Sequence, residues 1–277
     1  MSRTAPGRVL AIGGSDSGGG AGIQADIKTI TALGGYAATA VTAVTAQDTH
    51  RVHEVCPVAP ALVARQIALV LDDIGADAVK TGMLGDAATI AAVCDTLAGH
   101  APGVPLVVDP VLRATGGGPP LLEDAALETL RHRLLPMASL VTPNLPEAAA
   151  LTGLVVQDLG GMRDAARALL ALGAKAVLVT GGHLQGDTVT DLLVTEAGSE
   201  TFVAPRIATR HTHGTGCTLA SAVATGLAQG MALREAVVRA LAYVRAAIEA
   251  APGLGGGHGP LGHVVRAGTV QPPNVVR

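Results

Sequence analysis

A glycine-rich turn that leads into an apolar helix has the clearest chemical meaning in this sequence. The turn is Gly214-Thr215-Gly216, and small, mostly apolar residues follow it through residue 222. The first N–H groups of a helix have no internal acceptor and lie at the positive end of the helix dipole. We therefore predict an anion site, suited to phosphate, at this turn.

A cysteine, Cys217, directly follows the turn. The field at a helix N-terminus lowers the pKa of a thiol, so we predict that Cys217 favours the thiolate and is a candidate base. The alternative is an ordinary buried cysteine in a glycine-capped helix. A zinc site with His211 and His213 is disfavoured, because the spacing fits no common zinc motif.

An amide and a carboxylate, Asn144 and Glu147, lie three residues apart at a predicted helix start. This spacing places both side chains on one side of the first turn. Mg²⁺ prefers oxygen ligands and keeps several waters, so one interpretation is a hydrated Mg²⁺ near phosphates. The other is a capping box, which the spacing alone favours.

Two further segments suggest contacts to a small substrate. Residues 13–22 contain six glycines but match neither the P-loop nor the dinucleotide fingerprint. We interpret them as a loop that wraps a substrate, with Asp16 or Asp26 offering a carboxylate, and a flexible loop is the alternative. Gln47 offers a donor and an acceptor that suit an aminopyrimidine edge, although a solvated amide is equally compatible with its position.

Composition restricts the class of protein. The chain has 277 residues, of which 49% are hydrophobic and 1% aromatic, so we predict one domain over 1–277 with an aliphatic core and an irregular tail from about 253. A net charge of −3 without a basic stripe argues against a nucleic-acid partner. Three widely spaced cysteines and a polar N-terminus favour a cytoplasmic location. The sequence contains no apolar stretch of about 18 residues, so we predict no membrane-spanning helix.

Short apolar runs alternate with longer amphipathic stretches along the chain. The predicted strands are 8–13, 36–45, 76–80, 105–109, 139–142, 176–180, 188–195 and 201–203. The predicted helices are 21–33, 61–74, 86–98, 123–134, 161–172 and a last long helix over 233–248. This alternation indicates an α/β fold with a doubly wound, mostly parallel sheet and helices on both faces. Ligands bind such sheets at the carboxyl ends of the strands.

Several motifs fall at these strand ends in a fixed order. They are residues 13–26, 45–48, 79–84, 109–111, 142–148, 181–183 and 211–218. The set resembles the hydroxymethylpyrimidine/phosphomethylpyrimidine kinase family of the ribokinase superfamily, over about Val9 to Pro260. The resemblance implies a ribokinase-like fold and the use of ATP and Mg²⁺. It also implies two successive phosphorylations in thiamin biosynthesis, of 4-amino-5-hydroxymethyl-2-methylpyrimidine and then of its monophosphate. A pyridoxal or pyridoxine kinase and a non-catalytic pyrimidine-binding sensor are the alternatives.

The same resemblance implies roles for individual residues and a possible homodimer. The pyrimidine pocket would be lined by Gly14, Asp26, Gln47, Met83 and Val111. The nucleotide would be bound by Asp109, Asn144, Thr180 and Gly182. Asn144 and Glu147 would bind Mg²⁺ and phosphate. Gly214, Thr215 and Gly216 would stabilise the transferring phosphoryl group. Cys217 would take the hydroxyl proton. Many members carry Lys where this chain has Thr115 and Thr180, which puts ATP contacts by those lysines in doubt.

Overall fold

A ten-stranded mixed sheet organises the part of the chain that the computed structural model describes, residues 7–112, 121–122, 124–265 and 274–276. Its strands are β1 (Arg8–Asp16), β2 (Tyr36–Gln47), β3 (Val52–Pro57), β4 (Ala78–Thr81), β5 (Leu106–Val108), β6 (Leu140–Val141), β7 (Ala176–Val179), β8 (Thr188–Thr195), β9 (Gly198–Pro205) and β10 (Asn274–Val276). The spatial order is β10-β9-β8-β7-β6-β5-β4-β1-β2-β3. The central strands from β7 to β2 run parallel. The strands outside them pair antiparallel.

Helices cover both faces of this sheet, as predicted. They are α1 (Gly22–Ala32), α2 (Pro60–Asp73), α3 (Ala87–His100), α4 (Asp124–Thr129), α5 (Leu145–Thr152), α6 (Leu159–Ala171), α7 (Thr215–Ala228) and α8 (Leu233–Glu249). Helices α1, α7 and α8 pack on one face, and α2 to α6 pack on the other. The predicted α/β class with a mostly parallel sheet is therefore confirmed.

The core consists of two aliphatic layers, one on each side of the sheet. Along β1, Leu10 and Ile12 face the layer that contains α2 to α6, whereas Val9 and Ala11 face the layer of α7 and α8. This alternation is the two-residue period of a strand that is buried on both faces. Small side chains also allow close helix packing, because a Cβ on Gly226 of α7 would lie 2.6 Å from the Cβ of Ala236 in α8.

Three local predictions differ from the structure. Strand β3 was not predicted, because its stability comes from pairing with β2 and most of its residues are exposed. Strand β10 lies in the tail that was predicted to be irregular, and it pairs with β9. The predicted helix over 123–134 is α-helical only to Thr129 and continues as a π turn, Leu130–Leu134. Among the described residues, none of the helices has the length and apolarity needed to cross a membrane.

A pH-dependent loss of stability is expected from His263, which supports the first turn of α7. His263 is 5% exposed, and its Nε2 lies 3.0 Å from the hydroxyl oxygen of Thr218. Burial and the charge of Lys28 lower the pKa of His263 from 6.5 to about 4. Below pH 6.5 the unfolded chain therefore binds a proton that the folded chain refuses. The free energy of unfolding falls by about 1.4 kcal/mol per pH unit from this group as pH decreases towards 4.

Urea unfolding of the wild type and of His263→Gln at pH 7 and pH 5 measures this effect. Between these pH values the wild type should lose about 2 kcal/mol more stability than the variant. The exposed His50, replaced by Gln, is the matched control and should behave as the wild type. Equal losses in the wild type and His263→Gln would contradict the assignment.

Candidate active site

A cavity of about 780 Å³ lies at the carboxyl ends of the parallel strands. It is next to β1 and β4, where the strand order reverses, the usual ligand position in open α/β sheets. Every residue predicted for the site borders this one cavity. They are Gly14, Asp26, Gln47, Met83, Asp109, Val111, Asn144, Glu147, Thr180, Gly182, Gly214, Thr215, Gly216 and Cys217. Thr115 lies outside the described residues.

The predicted anion turn forms the N-terminus of α7. Gly214 has a φ of 85°, and a Cβ there would collide with the carbonyl oxygen of Gly20. Glycine therefore lets the turn pack directly on the first glycine loop. Gly216 is exposed, and the nearest atom to a Cβ on it is Asp109 Oδ1 at 3.5 Å. The free N–H groups of the first turn of α7 thus border the cavity.

A buried charge cluster joins three elements beneath this turn. Lys80 of β4 donates to both carboxylate oxygens of Asp26 in α1, at 2.9 and 3.1 Å. Ser221 of α7 donates to the same carboxylate at 2.7 Å, and Lys80 Nζ lies 3.7 Å from Asp109 Oδ2. Burial lowers the pKa of Lys80, but the carboxylates of Asp26 and Asp109 raise it by more, so Lys80 stays charged.

The cluster changes the interpretation of two residues. Asp26 is 0% exposed and its oxygens are already bound, so its contact with a pyrimidine stays a prediction. Lys80 was not predicted as a site residue, although a lysine inside the buried run Ala78–Thr81 was a signal that it has buried acidic partners. Because a buried charge needs a partner of opposite sign, Lys80 is placed here to compensate the buried carboxylates of Asp26 and Asp109.

The prediction of a Cys217 thiolate is wrong for the protein as it stands. Burial raises the pKa of the Cys217 thiol well above its ordinary value, and the carboxylates of Asp109 and Asp26 raise it further. The charge of Lys80 and the N–H of Gly22 act in the opposite direction but do not compensate. Cys217 is therefore a neutral thiol close to the Asp109 carboxyl, whose pKa burial also raises.

Asn144 and Glu147 form the capping box that their spacing favoured. Asn144 Oδ1 accepts from the Glu147 N–H at 3.0 Å, and Glu147 Oε2 accepts from the Asn144 N–H at 2.9 Å. Glu147 is 8% exposed, and burial together with Asp109 raises its pKa to about 8. Among the described residues, no group of three or more His, Cys, Asp or Glu side chains is arranged to hold a metal.

The oxygen atoms of this region nevertheless suit a hydrated hard cation. Asp109 Oδ2 is buried and has no hydrogen-bond partner within the described part of the chain. Asp109 raises the pKa of the nearby Glu147, so a cation next to these two carboxylates would reduce their mutual repulsion. A cation that keeps most of its waters and is completed by phosphate oxygens needs only one or two such carboxylates.

A second wall of the cavity was not predicted. It is apolar, and its residues include Val189, Phe202, Ala204, Val244 and Ile248 from β8, β9 and α8. Arg206 donates to the carbonyl oxygens of Gly182 and Gly186, each at 2.8 Å, and also to that of Leu184. It thereby holds the loop after β7, which carries the predicted residues Thr180 and Gly182.

Solved structures share this arrangement. Pyridoxal kinase from Staphylococcus aureus in complex with AMP-PCP and pyridoxal superimposes with a TM-score of 0.89 at 33% identity, covering 99% of this chain and 98% of that chain. Phosphomethylpyrimidine kinase from Clostridium difficile gives a TM-score of 0.77 at 38% identity, covering 87% and 99%. The fold that this chain shares with these kinases is that of a small-molecule kinase of the ribokinase-like class.

Sequence comparison narrows this class to one family. The protein-family model described as phosphomethylpyrimidine kinase matches residues 16–262, so the chain belongs to this family. Hydroxymethylpyrimidine/phosphomethylpyrimidine kinase of Streptomyces coelicolor is 51% identical over 258 residues, covering 93% of this chain and 94% of that protein. Thiamine biosynthesis bifunctional protein ThiED of Geobacter sulfurreducens is 51% identical over 274 residues, which are 98% of this chain and 56% of that protein.

Proposed function

We propose that this chain transfers the γ-phosphoryl group of ATP to 4-amino-5-hydroxymethyl-2-methylpyrimidine and then to the resulting monophosphate, in thiamin biosynthesis. The observation that carries the proposal is the N-terminus of α7, which borders one cavity together with the predicted pyrimidine and nucleotide residues. Family membership supplies the substrate class. Residues 1–277 act as one kinase domain, in the cytoplasm and as a homodimer.

The two ends of the cavity have different functions. Gly14, Gln47, Met83 and Val111 contact the pyrimidine, so that its hydroxymethyl group points towards Cys217. Thr180, Gly182 and the apolar wall hold the nucleotide, with Asn144 and Asp109 on its phosphate side. In this proposal the alcohol oxygen and the γ-phosphorus lie next to the free N–H groups of the first turn of α7. Such preorganised donors stabilise the charge that develops on the transferring phosphoryl oxygens.

A proton must leave the alcohol as its oxygen forms the new bond to phosphorus and the bond to ADP breaks. Because the Cys217 thiol is neutral, it takes this proton only if it gives up its own. Asp109 is the acceptor, because its carboxylate lies beside the thiol and its Oδ2, which has Lys80 Nζ at 3.7 Å, accepts no hydrogen bond within the described residues. The alcohol proton therefore passes to Cys217 while the thiol proton passes to Asp109.

Asp109, Asn144 and Glu147 would hold Mg²⁺, mainly through its waters. The ion supplies positive charge that neutralises the phosphate oxygens of ATP. Burial and the carboxylate of Asp109 raise the pKa of Glu147 to about 8, so a nearby cation would favour its charged form. The capping box keeps Glu147 in place through the bond from the Asn144 N–H to Oε2.

Glu147→Gln tests this role of Glu147. The amide keeps the cap but removes the charge, so the Mg²⁺ concentration for half-maximal rate should rise by about tenfold. The exposed Glu54, replaced by Gln, is the matched control and should leave it unchanged. If Glu147→Gln alters only the thermal stability, Glu147 serves the helix cap alone.

A coupled assay of ADP formation tests the proposed function. The substrates are the pyrimidine alcohol, its monophosphate and pyridoxal, each with ATP and Mg²⁺. We expect turnover of the alcohol and the monophosphate, with a lower kcat/KM for pyridoxal. A higher kcat/KM for pyridoxal would assign the chain as a pyridoxal kinase, which the Staphylococcus aureus neighbour makes the second candidate. Tight binding of the alcohol without turnover would indicate a sensor.

A further inference from the structure

A buried histidine, His213, connects the first glycine loop to Gln47. Its Nε2 lies 3.0 Å from Asp16 Oδ2 and 3.2 Å from the side-chain amide of Gln47. His213 is 5% exposed and Asp16 is 3% exposed. His213 immediately precedes the anion turn, and all three residues border the cavity. The proposed function uses neither His213 nor Asp16.

Asp16 determines which atom of His213 carries a proton. Its carboxylate accepts from the N–H groups of Gly18, Gly20 and Ala21, at 2.8, 2.9 and 2.8 Å. Burial raises the pKa of Asp16, but the bonds from His213, Ala21 and Gly18 lower it below its ordinary value, so Asp16 is ionised. A carboxylate accepts and does not donate, so His213 Nε2 must bear a hydrogen in either the neutral or the charged ring.

This proton fixes the orientation of the Gln47 amide. An N–H on His213 Nε2 cannot accept from an amide N–H, so the end of Gln47 that lies 3.2 Å away must be the oxygen. The amide nitrogen then lies 3.3 Å from Thr45 Oγ1 and donates to it. The Thr45 hydroxyl in turn donates to the carbonyl oxygen of Ser15 at 2.9 Å. Every donor in this chain of bonds then has an acceptor. In the opposite orientation an N–H of the Gln47 amide would face the N–H of His213 and would have none.

We propose that His213, held by Asp16, is a positioning residue that sets the order of donor and acceptor which Gln47 offers to a heterocycle in the cavity. The inference rests on the proposed function, because it assigns the ring edge that Gln47 contacts. One N–H and one oxygen lone pair of the amide remain free for that edge. A 4-aminopyrimidine edge presents a donor beside a ring-nitrogen acceptor, and a 4-oxopyrimidine edge presents the reverse order. A fixed amide distinguishes the two, whereas an amide that rotates serves both.

The experiment compares two substrates that differ only at this edge, the 4-amino alcohol and its 4-oxo counterpart. The wild type should prefer the 4-amino compound in kcat/KM by about tenfold to hundredfold, the usual effect of mismatched buried hydrogen bonds. His213→Leu should reduce this preference by about tenfold and leave the KM for ATP unchanged. His213→Gln keeps an N–H donor near the Nε2 position and should restore most of the preference.

Controls separate the possible failures. The exposed His132, replaced by Leu, should retain the wild-type preference. If His213→Leu does not fold, Thr45→Val removes the other contact of the amide and should reduce the preference instead. Equal losses for both substrates in the folded variant, with an unchanged preference, would overturn the role of His213 and leave the proposed function intact. A wild type that turns over neither compound overturns both.

Discussion

Replacement of Gly216 by valine is expected to reduce kcat by about 10²- to 10³-fold while the protein stays folded, the range seen when a preorganised donor is lost. Gly216 is the second residue of α7 and is exposed to the cavity. A Cβ there meets only the two carboxylate oxygens of Asp109, at an ordinary 3.5 and 3.9 Å, so the backbone can accept the change. The larger side chain then occupies the space in which the phosphoryl oxygens must approach the free N–H groups.

The chain offers a matched control for this substitution. Gly160 is the second residue of α6, is also exposed and does not border the cavity. Gly160→Val should therefore leave kcat close to the wild-type value. A folded Gly216→Val protein with normal turnover would remove the N-terminus of α7 from the mechanism. Gly214 is unsuitable for this test, because its φ of 85° and its contact with the Gly20 carbonyl make any side chain disruptive.

Cys217→Ala should slow phosphorylation of the alcohol by about 10²-fold or more, the usual value of a proton acceptor. The alcohol holds its proton tightly at neutral pH, so the step depends on transfer through Cys217. The monophosphate has a second pKa of about 6 and is mostly ionised, so the second step needs no acceptor. We therefore expect a much smaller loss when the monophosphate is the starting substrate.

Separate assays of the two steps measure this difference. The exposed Cys56, replaced by Ala, is the matched control and should change neither step. Asp109→Asn removes the final proton acceptor and should likewise slow the alcohol step. Because Asp109 also lies on the phosphate side of the nucleotide, this variant should slow the second step as well. Equal losses of both steps in Cys217→Ala would mean that Cys217 shapes the cavity and does not move the proton.

The sequence by itself determined the features that depend on neighbouring residues. The anion turn at Gly214-Thr215-Gly216 follows from glycine and a helix start, and the capping box of Asn144 and Glu147 follows from a spacing of three. The alternation of strands and helices likewise predicted the sheet, since a strand and the helix after it bury their apolar faces together. Because parallel strands end at one edge, the sequence also indicated that these motifs would meet.

Only the tertiary structure decided the properties that depend on residues distant in sequence. The protonation state of Cys217 is set mainly by its burial, and the carboxylates of Asp109 and Asp26 raise its pKa further, whereas Lys80 from β4 acts in the opposite direction without compensating. The orientation of Gln47 depends on His213, 166 residues away. The edge strands β3 and β10 exist through pairing with β2 and β9. Electrostatic energies inside a protein depend on distances of a few ångströms and on burial, and neither quantity is encoded in the spacing of residues along the chain.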